Sequence, residues 1–265
     1  EIEVAMGWHK HLEIIRILEG EGEFNISGRT QRVRAGSFVI INPNQIHSAY
    51  SNIGRPLKYQ SLKFTYSYFD SNVEDPTFIT YIKPLMDGKA FLPNTILNTF
   101  PIHSHIMNLF DELEDNIQKK LFGYELLNKV LLYKLLFLFH DNKFVYHRSA
   151  EYIDRKTSDE IVKNTINYIH DHFDEDFNLD LLSSSLDTSK PHMCRVFKRL
   201  TGQTITEYQN NHRIQRACEL LIDTNTQIIK IAFDLGYHNV TYFNLRFKQR
   251  TLMTPKEYRQ IYKRS

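Results

Sequence analysis

From Leu12 to Tyr66 apolar residues recur with period two or in short runs: LEIIRIL, EFNISG, RTQRVRAG and SFVIINPNQIH, separated by Gly, Asn and Pro. Strands this short, with Gly-bearing turns between them, predict an antiparallel β-sandwich or barrel. After Pro56, LKYQSLKFTYSYF adds one or two strands, whereas Asp70 to Phe100, with Pro76, Pro84 and Pro93, shows no clear period. The period then changes. Ile106, Leu109, Phe110, Leu113, Ile117 and Leu121 make one face of a helix, and after Gly123 a second helix, Tyr124 to His140, is apolar on nearly all sides. Such a helix must be covered on more than one face. Leu127, Val130, Leu131, Lys134, Leu135 and Leu138 are therefore expected to face a second subunit; packing of the two helices against the barrel is the competing solution. Periodicity fades after Asp141, which makes 148–159 a linker between two domains, as the length of 265 residues also suggests.

Beyond the linker the chain is helical and repeats itself. Glu160 to Phe173 carries Ile161, Thr165, Tyr168, Ile169 and His172 at helical spacing. KPHMCRVFKRLTGQTITEY, from Lys190, returns fifty residues later as VTYFNLRFKQRTLMTPKEY. The pairs Phe197/Phe247, Lys198/Lys248, Thr201/Thr251, Thr204/Thr254, Glu207/Glu257 and Tyr208/Tyr258 are identical. Self-similarity at fixed spacing means one unit used twice, and the flanks LDLLSSSLDTS and IIKIAFDLGYHN make that unit helix, turn, helix. Asn178, Ser189 and Asn239 are expected N-caps, with Pro191 in a first turn where its missing N–H is harmless. In the first unit Met193, Val196, Phe197 and Leu200 bury, leaving Pro191, Cys194, Arg195 and Lys198 outward. In the second Phe243 and Phe247 bury, leaving Val240, Thr241, Asn244 and Lys248 outward. The intervening helix, Glu207 to Ile222, turns Ile214, Ala217, Leu220 and Leu221 inward; its length of about 22 Å can hold two recognition helices apart along a duplex whose major-groove openings repeat every ~34 Å.

Charge sharpens this picture. From Ser189 to Ser265 there are 14 Lys and Arg against 5 Asp and Glu, a balance of +9, while the remainder carries 19 against 26, or −7. A basic segment built of helix-turn-helix units predicts double-stranded DNA as partner. Thr241 and Asn244 have the chemistry to read base edges, and Lys198 and Lys248 to meet phosphate. The most apolar window, Val130 to Phe139, is about half the ~20 residues of a bilayer span and contains Lys134, so no membrane partner is expected. EIEVAMGWHK lacks the basic start and apolar run of a signal peptide, and the missing initiator Met suggests a trimmed start. Cys194 and Cys218 show no CxxC spacing, so neither a disulfide framework nor a zinc site is supported, and a cytoplasmic setting is expected.

Two resemblances complete the sequence picture. His9-x-His11-x-Glu13, Gly20-Glu-Gly22, Gly36 and Asn42-Pro43-x-x-x-His47 resemble a cupin-type sensor domain. Enzymatic cupins hold a divalent metal through such residues, which implies a metal-dependent cupin enzyme fused to a DNA-binding domain as the alternative function. The acid here follows His11 too closely for that pattern, so no metal or other cofactor is expected. Strand alternation instead puts His9, His11, Glu13 and Ile15 on one face, and Trp8, His9, His11, Glu13, Arg16 and His47 are the candidates to line a pocket for a small-molecule effector. Elsewhere no nucleophile, phosphate loop or paired-carboxylate motif points to catalysis, and the chain is expected not to be an enzyme. The C-terminal hundred residues resemble the DNA-binding domain of AraC-type transcription regulators through Leu179 to Leu186, SKPHMCRVFKRLTGQTITEY, HRIQRACELL, IIKIAFDLGYHNVTYFNLRFKQ and TPKEYR. Leu182 stands where that family usually has Ala, Leu252 where it often has Gly, and Leu245-Arg246 inverts the usual polar-then-apolar order.

The resemblance implies base contacts from outward residues of both recognition helices, here Pro191, Cys194 and Arg195, and Val240, Thr241 and Asn244, within a DNA-binding set that adds Ser189, Lys190, His192, Lys198, Asn239, Arg246 and Lys248. It also implies effector binding in the barrel, with sugars a frequent class, dimerisation through the following helices, and activation of nearby promoters. The expected fold is α+β: a cupin-like antiparallel barrel over 1–100, a dimerising helical hairpin over 101–147, the linker, and an all-α domain over 160–265 with two helix-turn-helix motifs.

Overall fold

The computed structural model describes residues 2–51, 55–69, 75–147, 152–175 and 178–263. The chain folds as two compact units, 1–155 and 156–265. The first begins with seven strands: β1 (Ile2–Gly7), β2 (Leu12–Glu19), β3 (Glu21–Ile26), β4 (Arg29–Arg34), β5 (Phe38–Ile41), β6 (His47–Ser51) and β7 (Lys58–Phe64). α1 (Tyr66–Phe69) then stands where the sequence reads as strand, and the aperiodic stretch from Asp70 holds a π-helical turn (Phe78–Ile82), α2 (Lys83–Met86), β8 (Ala90–Phe91) and β9 (Thr95–Ile96). Then come the helices α3 (His103–Lys119) and α4 (Tyr124–Asp141) and the short strand β10 (Tyr146–His147).

The strands form two four-stranded antiparallel sheets, β1-β6-β3-β4 and β7-β2-β5-β9, and no closed barrel; β10 pairs with β8. The chain changes sheet at Gly20, where φ is +84° and a Cβ would stand 2.4 Å from the Pro56 carbonyl oxygen. Only glycine suits that position.

β2 is covered on both faces, which explains its nearly unbroken apolar run. Ile15 and Ile17 bury with Phe24, Ile26, Val33, Val39, Ile41 and Ala49. Leu12 and Ile14 bury on the other side with Phe38, Ile40 and Phe64, in a second core. The same core takes Ile82, Leu85, Leu92 and Ile96 from the aperiodic stretch and Ile106, Leu109, Phe110 and Leu113 from α3. From α4 it takes Leu131, Leu132, Leu135, Leu136 and Phe139.

Two sequence expectations change here. α3 ends at Lys119 on a left-handed Lys120, so Ile117 and Leu121 are exposed and do not extend its buried face. Leu131 and Leu135, expected to face a second subunit, lie inside the domain's own core at 2% and 0% exposure, and Leu138 packs against that core. The exposed apolar positions of α4 are Leu126, Leu127, Val130 and Phe137, with exposed Lys134 among them. The hairpin and sheet consume the rest of the helix surface.

α5 (Tyr152–Asp171) begins in the last residues of the first unit and continues into the second, which also holds α6 (Leu179–Ser185), α7 (Lys190–Thr201), α8 (Ile205–Asp223), α9 (Ile228–Asp234), α10 (Val240–Thr251) and α11 (Pro255–Tyr262). The expected linker at 148–159 is helical from Tyr152 onward, and its residues 148–151 lie outside the described ones. Each expected cap forms. Asn178 accepts from the Asp180 and Leu181 amides, Ser189 from His192, and Asn239 from Thr241 and Tyr242. Thr204 with Glu207, and Thr254 with Glu257, close reciprocal capping boxes at the starts of α8 and α11, each satisfying two otherwise orphaned amides.

Candidate functional site

The recognition helices share two buried positions at the fifty-residue offset, Met193 with Phe243 and Phe197 with Phe247. α7 buries Met193, Val196, Phe197 and Leu200, and α10 buries Phe243 and Phe247. The second unit's core adds Ile214, Ala217 and Leu221 from α8 and Ile231, Ala232 and Leu235 from α9. Ser189, Lys190, Pro191, His192, Arg195 and Lys198 are exposed, and Cys194 is half-buried. Lys190 Nζ reaches Asp180 on α6 at 2.9 Å. On the second unit Asn239, Thr241, Asn244 and Lys248 are exposed. Val240 instead packs partly against the core, and half-buried Arg246 donates to Gln249 Oε1 at 3.3 Å.

The fifty-residue offset pairs Arg195 with Leu245, which is 54% exposed. The inverted Leu245-Arg246 order therefore turns the leucine outward and draws the arginine back. Leu245 was missed as an outward residue because its apolar chemistry suggested burial; the repeat offset alone carried the signal.

α8 ties the end of α5 to the second helix-turn-helix motif. Arg213, 9% exposed, donates from Nε to the Phe173 carbonyl, from Nη1 to Gly236 at 3.0 Å and from Nη2 to Glu175 at 3.0 Å. Gly236, at φ +77°, forms the turn between α9 and α10; a Cβ there would stand 2.3 Å from the Asp174 carbonyl oxygen. One residue before Arg213, His212 stacks on His170 with ring centroids 4.3 Å apart, and burial, with His170 and Arg216 nearby, holds its imidazole down at about 4.

The N-terminal unit has a polar cluster at one end of its inner sheet faces. Register places Glu13 opposite Lys63 and Ile15 opposite Ser61, so these four side chains share a face. Buried Glu13 accepts from the Ser61 hydroxyl through Oε1, with Lys63 Nζ 3.3 Å from the same oxygen. Its Oε2 lies 2.8 Å from His9 Nε2. Burial alone would raise the Glu13 carboxyl, but the His9 and Ser61 hydrogen bonds and the Lys63 charge outweigh it and hold it at about 2. His47, buried on β6, stands edge-on to His9 with ring centroids 4.8 Å apart, and burial pushes its imidazole below the ordinary value. Its Nδ1–H donates to the Gln45 carbonyl at 2.9 Å.

Asn42 steadies the loop leading there: its Nδ2 donates to the Leu92 carbonyl at 2.9 Å and its Oδ1 accepts from the Leu92 amide at 2.7 Å. His9 and His11 lie between β1 and β2 instead of on a strand. The His11 ring is 5.3 Å from that of His9, and Trp8 is half-buried beside them in sequence. Arg16 does not join the cluster. It is on the opposite face of β2, as alternation from Glu13 requires, and pairs with Asp111 of α3. Ser61 and Lys63 escaped the sequence because only the β2–β7 register brings them to Glu13.

A duplicated helix-turn-helix module with a polar outward face, carried on the same chain as a sheet domain holding a buried cluster of titratable groups, defines a regulator that couples sensing to DNA. Comparison with known proteins gives the particular family. Residues 2–136 match the AraC-like ligand binding domain and residues 182–261 a helix-turn-helix domain. The HTH-type transcriptional regulator YdeC of Bacillus subtilis is 23% identical over 261 residues, 97% of this chain and 87% of that one. The lactose operon transcription activator of Staphylococcus xylosus is 22% identical over 246 residues, 92% and 81% of the two chains. Among solved structures, the C-terminal domain of AraT, a response regulator from Geobacillus stearothermophilus, is 30% identical, with a TM-score of 0.38, over 40% of this chain and 88% of that one. The chain belongs to the AraC family of DNA-binding transcription regulators and carries that family's ligand-binding domain. No helix among the described residues is long and apolar enough to cross a membrane.

Proposed function

We propose that α7 and α10 enter successive major grooves of promoter DNA in the cytoplasm. The base-reading residues would be His192, Cys194, Arg195, Thr241, Asn244 and Leu245, with Lys198 and Lys248 on phosphates. The observation that carries this assignment is the repeated outward face: two capped helices, fifty residues apart, share the buried positions 193/243 and 197/247 and the lysine position 198/248, and differ where bases would be met. Leu245 offers apolar contact to a thymine methyl where Arg195 offers a guanine-type donor pair.

In the N-terminal unit, His9, His11, Glu13, His47, Ser61 and Lys63 form the sensing site. Their mixture of donors and acceptors suits a small polar ligand such as a sugar, the class suggested also by the lactose operon activator among the relatives. Dimerisation runs through the exposed stripe of α4, so that effector binding repositions two DNA modules and activates transcription.

The test is a mobility-shift titration against upstream genomic fragments over a salt series. Arg195→Ala is expected to cost about 1–3 kcal/mol on the specific site and relax one base position. Lys198→Ala is expected to weaken all DNA alike and to lower the salt slope by about 1. Equal loss on specific and random DNA for Arg195→Ala would refute the base-reading assignment.

A further inference from the structure

We propose that His9, Glu13 and His47 bind a divalent transition-metal ion, with one imidazole nitrogen from each histidine and Glu13 Oε2 as ligands. One ligand atom from each of the three residues lies within 4.8 Å of the others. At metal–ligand distances near 2.1 Å, neighbouring ligands stand about 3–3.4 Å apart, so closing a 4.8 Å pair takes about 0.7–0.9 Å from each atom.

The hydrogen bonds around the cluster orient these atoms. His47 Nδ1–H donates to the Gln45 carbonyl, which puts the lone pair on Nε2. His9 faces acceptors at both nitrogens, the His11 carbonyl at 3.2 Å from Nδ1 and the Glu13 carboxylate at 2.8 Å from Nε2. A neutral imidazole has one N–H to give. In the ion-free site a proton bridges Nε2 and Oε2; a cation takes that proton's place while Nδ1–H stays on the His11 carbonyl, and so gains two ligand bonds.

The carboxylate is divided to match. Ser61 and Lys63 hold Oε1, leaving Oε2 for the ion. Outer partners on both histidines and on the acid are the support that metal ligands need. Two imidazoles and one carboxylate suit borderline ions such as Zn²⁺, Fe²⁺, Mn²⁺ or Ni²⁺, and three protein ligands leave positions open for water or an incoming ligand. The set differs from the four-residue pattern read in the sequence, since His11 contributes its backbone carbonyl to orient His9.

The inference rests on the placement of the sensing site at this cluster, and the ion would give an oxygen-bearing effector its anchoring point. Tag-free full-length protein, stripped with a chelator, is titrated with Co²⁺ and followed by its visible absorption. A saturable spectrum with one ion per chain, competed by Zn²⁺, is expected. His9→Gln, which keeps a donor for Glu13 Oε2, and His9→Ala, which removes it and should melt lower, are both expected to lose the spectrum while folded. His47→Ala should lose it too, while Lys63→Met, which keeps all three ligands, should retain it. Absence of a saturable spectrum, or a spectrum unchanged in His9→Ala and His47→Ala, overturns the proposal. Sequence-specific DNA shifts by the stripped protein are scored separately, so failure of the metal site and failure of the regulatory function give different results.

Discussion

Leu252 and Gly202 occupy the same position in the two copies, and both end a recognition helix in the left-handed conformation, at φ +61° and +78°. Glycine adopts it freely; a leucine pays through its Cβ. Since Leu252 is 70% exposed, replacing it removes little packing. Leu252→Gly is expected to stabilise the C-terminal unit by about 1 kcal/mol, measured as a raised midpoint in urea or thermal unfolding. Helical period made most outward and buried residues of α7 and α10 legible, because 3.6-residue spacing needs no partner. Arg16 was misplaced for a simple reason: an odd step from Glu13 along a strand reverses the face. Ser61 and Lys63 were not legible at all, since strand register is a pairing property that one strand does not encode.

At the scale of the element, α4 shows why a helix apolar all round resists interpretation. Its sequence offers leucines to every side, and what selects Leu131 and Leu135 for the interior is the position of α3 and the sheet. The outward remainder, Val130 and Phe137 at 53% and 62% exposure, is where the proposed dimer is tested. Val130→Asp with Phe137→Asp is expected to give a monomer in sedimentation with an unchanged melting temperature. Loss of two apolar contacts would raise the dimer dissociation constant by about 100-fold or more. Leu135→Asp, by contrast, puts a charge in the core and should unfold the N-terminal unit. The aperiodic stretch after Asp70 was unreadable because its elements are two to five residues long and gain their order only by burying Leu85, Leu92 and Ile96 in a shared core.

At the scale of the molecule, charge and protonation divide between the units as their roles do. The basic C-terminal segment implies DNA affinity that falls steeply with salt. His212 gives the same unit a pH limit. Its imidazole titrates near 4 when folded against an ordinary 6.5, so the unfolded chain binds the extra proton between those values. Stability is fully present above pH 6.5 and is lost progressively as pH falls toward 4. Thermal melts of the full chain at pH 7.5 and 4.5 should show a lower C-terminal transition at the acid end, and His212→Phe should flatten that dependence.

The Arg213 contacts bear on the genome as well as on the protein. By pinning the α9–α10 turn to α8, on which Tyr208 also packs edge-on against Phe197 of α7 with ring centroids 5.6 Å apart, they help set the phase between two reading heads. A single inserted base pair displaces the second subsite by about 3.4 Å and rotates it by about 35°, a change that three hydrogen bonds on a buried guanidinium do not absorb. Operators of this protein should therefore tolerate base changes at individual positions better than insertions between subsites, and a binding-site selection scored for spacing as well as sequence will show which.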